Sequence, residues 1–375
     1  MISFILWNVS PVAFGAGPLI VRWYALFFII GFIAGRQLLI SLYKKEGKPS
    51  AEIELLILYI VCAAIVVSRI IYVLSYDPRL ITTQPAEVFL PVAFKPTFHF
   101  SGITELSGHG GMIGLMIGLW FFWRRSRKET YMRMLDRLSI GVALVATLFC
   151  MGYFMNSENP GRVTNLPWGT ISMRPITDGL VKIPCCMMRN PGGANPLQSV
   201  TVRKDTSRVL DVEGQRPLIL YLFFKPGATE QSVNEFLIGD VKTFLFDNSN
   251  AMYEPGDQPL HYTIFQEKID VFTARIRAIG ISRHPIYAYE ALIFLFLFLW
   301  LMAYRKKLNY VIPEGRIAGM FFLIGWSMMF VTGFLREPGA TYENSMMLNT
   351  GQLLSIPFMV FGAYVLIYSF RKRNV

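Results

Sequence analysis

Seven windows of about twenty mainly apolar residues, the length that crosses a bilayer core, constrain this chain more than anything else in it. They fall near residues 18–43, 54–76, 109–123, 137–156, 286–304, 315–335 and 350–370. Backbone that crosses hydrocarbon must satisfy its own hydrogen bonds, so each window predicts a helix. The chain is 53% hydrophobic and only 16% charged over 375 residues, too apolar for an ordinary soluble domain of that size. The expected fold class is an all-α polytopic membrane protein with seven transmembrane helices. The third window is the weakest, because Gly110, Gly111, Gly114 and Gly118 thin its side chains. A glycine row of that kind also lets two helices approach closely.

The formal net charge of +11 raises the possibility of a nucleic-acid partner, but the placement of the charges argues against one. Lys44, Lys45 and Lys48, then Arg124 to Arg137, then Arg305, Lys306, Lys307 and Arg316, then Arg371, Lys372 and Arg373 follow alternate windows. Such clusters mark the cytoplasmic side. Connections 77–108 and 336–349 carry few positive charges, and the residues before Gly17 carry none. A multi-pass inner-membrane protein with its N-terminus outside and its C-terminus cytoplasmic is expected. The first residues have no basic stretch and no small-residue cleavage site, so the first span is expected to direct insertion itself.

Residues 157–285 differ in composition, mixing Arg174, Lys182, Asp205, Asp211 and Glu213 with Pro and Gly. They predict a small α+β extracytoplasmic insert between helices 4 and 5. The expected division is 1–156 for the first four helices, 157–285 for the insert and 286–375 for the last three. Within the insert, Leu218–Phe224, Val241–Phe246, Leu260–Gln266 and Val271–Ile279 look like strands, and Thr229 to Phe236 like a helix with a threonine cap. Cys62, Cys150, Cys185 and Cys186 have no metal-ligand spacing, so no metal is expected. A disulfide between the adjacent Cys185 and Cys186 is possible in an oxidising compartment but not favoured.

Ionisable groups inside or at the ends of apolar spans are expensive and therefore point to function. Arg22, Arg36, Arg69, His109, Glu158, Arg162, Arg283, His284, Glu290 and Arg336 are of this kind, and the amide of Asn156 stands beside Glu158. Most fall toward the outer leaflet on the topology above. Guanidinium groups gathered there suit a lipid phosphate, which they bind bidentately without losing charge. Simple interfacial anchoring competes for each arginine alone, though Arg69 lies deep within its apolar run. His109 stands among Gly108, Gly110 and Gly111, where a substrate can approach an imidazole able to take a proton near neutrality. A histidine that merely bonds a neighbouring helix is equally compatible with the spacing. Glu158 and Glu290 read first as ion-pair partners of the arginines. Tyr24, Tyr72 and Tyr289 are candidate headgroup donors, although tyrosine is common at interfaces for amphipathic reasons.

Taken together, these residues resemble the prolipoprotein diacylglyceryl transferase family. Trp7-Asn8-Val9-Ser10-Pro11 with Arg22-Trp23-Tyr24 is similar to the family's N-terminus, and Arg69 with Tyr72 to its second-span Arg-x-x-Tyr. His109-Gly110-Gly111, Arg283-His284-Pro285 with Tyr289-Glu290, Arg336 with Pro338, and Gly351 to Pro357 match further motifs in order. The signature Gly-Arg-x-(Gly/Ala)-Asn-Phe-(apolar)-Asn-x-Glu-x-x-Gly falls on 149–161. Gly152, Phe154, Met155, Asn156, Glu158 and Gly161 agree with it, while Cys150 stands for its Arg, Tyr153 for its first Asn and Phe149 for its first Gly. Tyr287 stands where Arg-His-Pro-Ser-Gln has Gln.

The resemblance implies transfer of diacylglyceryl from phosphatidylglycerol to the lipobox cysteine of prolipoproteins, with no cofactor. It implies His109, Arg162, Glu158 and Asn156 as catalytic candidates. Tyr24, Arg69, Tyr72, Gly110, Gly111, Gly161, Arg283, Tyr289, Glu290 and Arg336 are the candidates for substrate binding. Phosphatidylglycerol, lipobox segments and membrane lipid are the expected partners, with no nucleic acid. The alternative is a non-catalytic relative that binds lipid or lipoprotein precursor.

Overall fold

The computed structural model describes residues 4–16, 19–47, 52–76, 78–83, 85, 88, 92–93, 99–100, 106–158, 161–183, 195–208, 210–248, 251–253, 258–268, 271–308 and 312–371. Cys185 and Cys186, and with them the disulfide question, lie outside the described residues. The chain divides into two compact units. One comprises residues 1–26, 152–287 and 335–337; the other comprises 27–151, 288–334 and 338–375.

The second unit is helical. Six helices of the chain are long and apolar enough to cross a membrane: Trp23–Lys45, Ile53–Ser75, Tyr131–Met155, Ile286–Lys307, Arg316–Gly333 and Thr350–Arg371. At 1.5 Å rise per residue, a 22-residue helix such as Thr350–Arg371 is about 33 Å long, enough for the hydrocarbon core. Phe28, Ile29, Ile33, Leu292, Phe296, Leu299, Val331, Val360 and Ile367 all point outward. A bundle built for water would bury such faces; one built for lipid exposes them.

The third window does form a helix, Gly108–Ser126, but it is not among the six. Its glycines, with His109, Arg124 and Arg125, keep it less apolar than the six, and the glycines also shape its packing. A Cβ on Gly110, Gly114 or Gly118 would come within 2.7, 2.4 and 2.5 Å of Ser68 Cα, Ala63 O and Tyr59 O. The bare edge repeated every fourth residue seats this helix against Ile53–Tyr76. The same bareness lowers its apolarity. Ser68 Oγ donates to Ser107 O at 2.6 Å, and Ser107 caps the helix by accepting from Gly110 N, which ties the start of this helix to the interior of Ile53–Tyr76.

Two arginines of the basic clusters are structural. Arg137 pairs with Glu46 and Glu129, and Arg305 pairs with Glu46; both guanidinium side chains are 3% exposed. Burial pushes the Glu46 carboxyl up, but the bonds from Arg137 and Arg305 outweigh it and hold it below the usual carboxylate range. Asp136 accepts from Gly315 N and Ala318 N at 2.8 Å each, satisfying the first amides of the Arg316–Gly333 helix.

The first unit is α+β. Its main sheet runs in the order Tyr262–Lys268, Val271–Ile281, Gln215–Phe224, Leu197–Lys204, all antiparallel, with Met252–Tyr253 pairing alongside Val271–Ile281. Leu218, Leu220 and Leu222 of the central strand are fully buried, worth roughly 1.5–3 kcal/mol each. Ala274, Ile276 and Ala278 join them in the core.

A helix starts at Glu230 with Thr229 as its cap, in a reciprocal bond with Ser232. It continues through a π-helical turn, Leu237–Val241, into Lys242–Asp247. Val241–Phe246 is therefore helix and not the expected strand. Val233, Phe236, Leu237, Val241 and Leu245 recur at helical spacing and all enter the core. A six-residue window is too short to separate that period from a buried strand. The N-terminal side of the first window departs too. Val12–Ala16 and Leu19–Arg22 form a hairpin, and the helix begins only at Trp23. Ile5–Trp7 adds to the unit as a strand parallel to Thr170–Ser172.

Candidate functional site

In the first unit, three segments far apart in sequence meet through their backbones. Gly161 bridges to Arg336, and Val163 and Thr170 both bridge to Arg283. Arg162 N donates to Leu335 O at 2.7 Å and His284 N donates to Arg162 O at 3.0 Å. Arg162 Nε donates to Arg336 O at 3.1 Å, and Arg283 Nη1 donates to Gly161 O at 3.0 Å. Arg162, Arg283 and Arg336 are thus presented by one braced junction. Only glycine fits at 161, where a Cβ would lie 2.0 Å from His284 O. Arg283 is further held by an ion pair with Glu337. Arg162 is exposed, and its backbone and Nε are both engaged at the junction. Burial lowers the pKa of His284 beside it, favouring the neutral ring.

Asn156 and Glu158 follow the C-terminal end of Tyr131–Met155, where Ser157 adopts the left-handed conformation (φ 64°) that stops a helix. Ser157 Oγ donates to Val9 O, and Trp7 Nε1 donates to Phe154 O, so the N-terminal segment fixes this corner. Asn156 Nδ2 donates to Glu158 Oε1 at 3.0 Å. Asn156 Oδ1 is buried and has no partner among the described residues, an arrangement that favours a donor arriving from outside the protein. Desolvation raises the Glu158 carboxyl above its ordinary value, against the Asn156 bond and the charge of Arg22. The side chain is nonetheless solvent-exposed overall, so the upward direction reflects crowding around the carboxyl itself. Tyr24 lies in the same unit, its ring stacked on Tyr153 at 6.1 Å.

The second unit holds the other candidates. His109 Nε2 lies 3.3 Å from Ser355 Oγ, and its ring packs against Trp326 at 4.8 Å and Phe358 at 6.3 Å. A Cβ on Gly108 or Gly111 would meet nothing within 4 Å, while one on Gly110 would lie 2.7 Å from Ser68 Cα. Arg69 and Tyr72 follow Ser68 on the helix locked to Ser107, with the Arg69 guanidinium 5.9 Å from the Tyr72 ring centre. Glu290 is 1% exposed. It accepts from Thr332 Oγ1 at 3.4 Å and lies 4.0 Å from Cys150 Sγ, so the residue at the signature arginine position touches a buried carboxylate. Tyr289, next to it, is half-buried.

Ser355 was not among the expected site residues. Its signal in the sequence is modest: Gln352 and Ser355 are polar at a spacing of three on an apolar helix, and both are buried. Tyr153 and Tyr287 carried no polar motif, yet their rings stack at 5.0 Å.

Six membrane-length helices, outward apolar faces and polar groups gathered at helix ends make this chain a polytopic membrane protein. A family model described as Prolipoprotein diacylglyceryl transferase matches residues 11–368, and the chain belongs to that family. A Tolumonas auensis relative named "Phosphatidylglycerol--prolipoprotein diacylglyceryl transferase" is 23% identical over 372 residues, covering 98% of this chain and 99% of its own length. A Bacteroides fragilis relative of the same name is 24% identical over 371 residues, covering 98% and 96%. One from Porphyromonas gingivalis is 34% identical over 168 residues, covering 44% of this chain and 56% of its own.

Proposed function

We propose that the chain transfers diacylglyceryl from phosphatidylglycerol to the lipobox cysteine thiol of prolipoproteins in the bacterial inner membrane. The thiolate sulfur attacks the glyceryl carbon that carries the phosphate ester. A carbon–sulfur bond forms, the carbon–oxygen bond breaks, and glycerol phosphate leaves with the electron pair. The observation that carries this reading is the family match over residues 11–368; the braced arginine junction supplies groups suited to the phosphate.

In this reaction His109 takes the thiol proton, oriented by Ser355. The groups that hold the phosphate and its growing charge come from among Arg69, Arg162, Arg283 and Arg336. Asn156 and Glu158 orient the substrate, Asn156 through the carbonyl that has no donor among the described residues. Tyr24, Tyr72, Tyr289, Gly110, Gly111, Gly161 and Glu290 shape lipid and peptide binding. Gly108–Ser126 counts as the seventh span, the N-terminus lies outside and the C-terminus in the cytoplasm. Residues 157–285 face outward between the spans 1–156 and 286–375.

The test is incubation of the purified protein with phosphatidylglycerol and a lipobox peptide. A diacylglyceryl mass added to the peptide, absent with a Cys→Ser peptide or with phosphatidylethanolamine, supports the reading. Binding of phosphatidylglycerol without transfer favours the second reading, a non-catalytic relative, which the thiol at Cys150 motivates.

A further inference from the structure

Two of the positions at which this chain departs from the family motifs touch each other. Tyr153 and Tyr287 stack with ring centres 5.0 Å apart and planes 25° apart. Tyr24 also stacks on Tyr153, at 6.1 Å and 21°. The guanidinium of Arg336 lies over the Tyr287 ring, 5.3 Å from its centre. Tyr153 thus stacks on both Tyr24 and Tyr287, and Tyr287 in turn meets a cation.

We propose that the Tyr24–Tyr153–Tyr287 column is a positioning device that aims the Arg336 guanidinium at the phosphate of the lipid substrate. The backbone of Arg336 is already fixed by Gly161 and by Arg162 Nε. Its side chain has four rotatable bonds, whose ordering on binding opposes affinity. An aromatic face within cation–π reach of the guanidinium restricts that freedom beforehand while leaving its N–H groups available to a phosphate. Tyr287 makes the contact. Tyr153 and Tyr24 hold Tyr287 by stacking. Phe154, next to Tyr153, is pinned by Trp7, whose ring packs at 4.2 Å and whose Nε1 bonds the Phe154 carbonyl. The base of the column therefore stands on the same corner that carries Asn156 and Glu158.

Ordinary interfacial tyrosines would pack in the same region without aiming anything. The two cases separate on the ring and on the partner. The inference rests on the transferase reading, so lipid binding is measured apart from turnover, by calorimetry with short-chain phosphatidylglycerol and detergent-solubilised full-length protein.

Tyr287→Leu is expected to weaken binding and raise KM for the lipid about three- to tenfold, the range of one cation–π contact, with kcat changed less and the melting temperature kept. Tyr287→Phe, which keeps the ring, is expected to retain natural affinity. In an Arg336→Ala background, Tyr287→Leu is expected to add nothing further. Equal affinities for Tyr287→Leu and the natural protein would overturn the column. So would a Phe variant as weak as the Leu variant, or an undiminished Leu effect in the Arg336→Ala background. A natural protein that binds in the expected order but transfers nothing would leave the column standing and remove the transferase reading alone.

Discussion

Replacing Gly161 with alanine tests the arginine junction at its tightest point. The new Cβ would lie 2.0 Å from His284 O and 3.0 Å from His284 Cβ. The first of these is about 1 Å inside the closest approach a Cβ makes in close-packed protein. The obstacle is backbone, so no side-chain rotation relieves it. Segments 161–163 and 283–284 must separate, which breaks or stretches His284 N→Arg162 O and Arg283 Nη1→Gly161 O. Two such bonds are worth about 1–3 kcal/mol together, and the overpacking adds about 1–3 kcal/mol, so the variant is expected to lose about 2–6 kcal/mol.

The assay is thermal unfolding in detergent beside turnover. The control is Gly239→Ala, where a Cβ meets nothing within 4 Å on a helical backbone and the change is neutral or slightly stabilising. A Gly161→Ala protein that melted and turned over like the control would show that the junction does not hold the arginines.

Three further outcomes follow from the same structure. His109→Ala is expected to lower transfer about 10²–10⁴-fold with melting unchanged, and Ser355→Ala to lower it less; near-natural turnover by the His109 variant would remove the base. Burial pushes Asp205 up, but the bonds from Ser207 and Arg208 prevail and hold its carboxyl at about 2. Its stabilising contribution is therefore complete above about pH 4, where the unfolded group is ionised, and is lost as pH falls toward 2. Asp205→Asn should flatten that part of an acid-unfolding curve, and an unchanged curve would contradict the assignment. With the native cysteines replaced, an impermeant thiol reagent on intact inner-membrane cells should label Ser199→Cys, which is exposed, and should label Ser126→Cys only after permeabilisation; the opposite pattern reverses the topology.

The spans were legible because twenty apolar residues leave the backbone no alternative to helix. Where the sequence misled, a local pattern was ambiguous. Val241–Phe246 is too short to show its period, and the apolar residues before Trp23 continue the first window in composition while pairing as a hairpin with Val12–Ala16. Gly110, Gly114 and Gly118 weakened one window for the same reason that they built its packing.

At the site, the ionisable residues were visible as charges in apolar surroundings. Their grouping was not, because it depends on backbone pairs such as Gly161 with Arg336 and Val163 with Arg283, more than a hundred residues apart and blind to side-chain type. Ser355 lies in the Gly351–Pro357 stretch that resembles the family, but its place beside His109, 246 residues away, is set by helix packing and not by sequence. The Tyr153–Tyr287 pair looked like two unrelated losses of polar groups until the rings were seen in contact.

Whether the chain works as a transferase with a thiol at position 150 is the central question. Cys150 Sγ faces the buried Glu290 carboxylate, so Cys150→Arg would place a guanidinium against a ready partner. The direct measurement is phosphatidylglycerol-dependent lipidation of a lipobox peptide, by mass spectrometry, for the natural protein beside Cys150→Arg/Tyr153→Asn. With Arg162, Arg283 and Arg336 carrying the phosphate, the natural protein is expected to transfer diacylglyceryl at a rate equal to or above that of the double variant. Transfer by the variant alone would contradict the account.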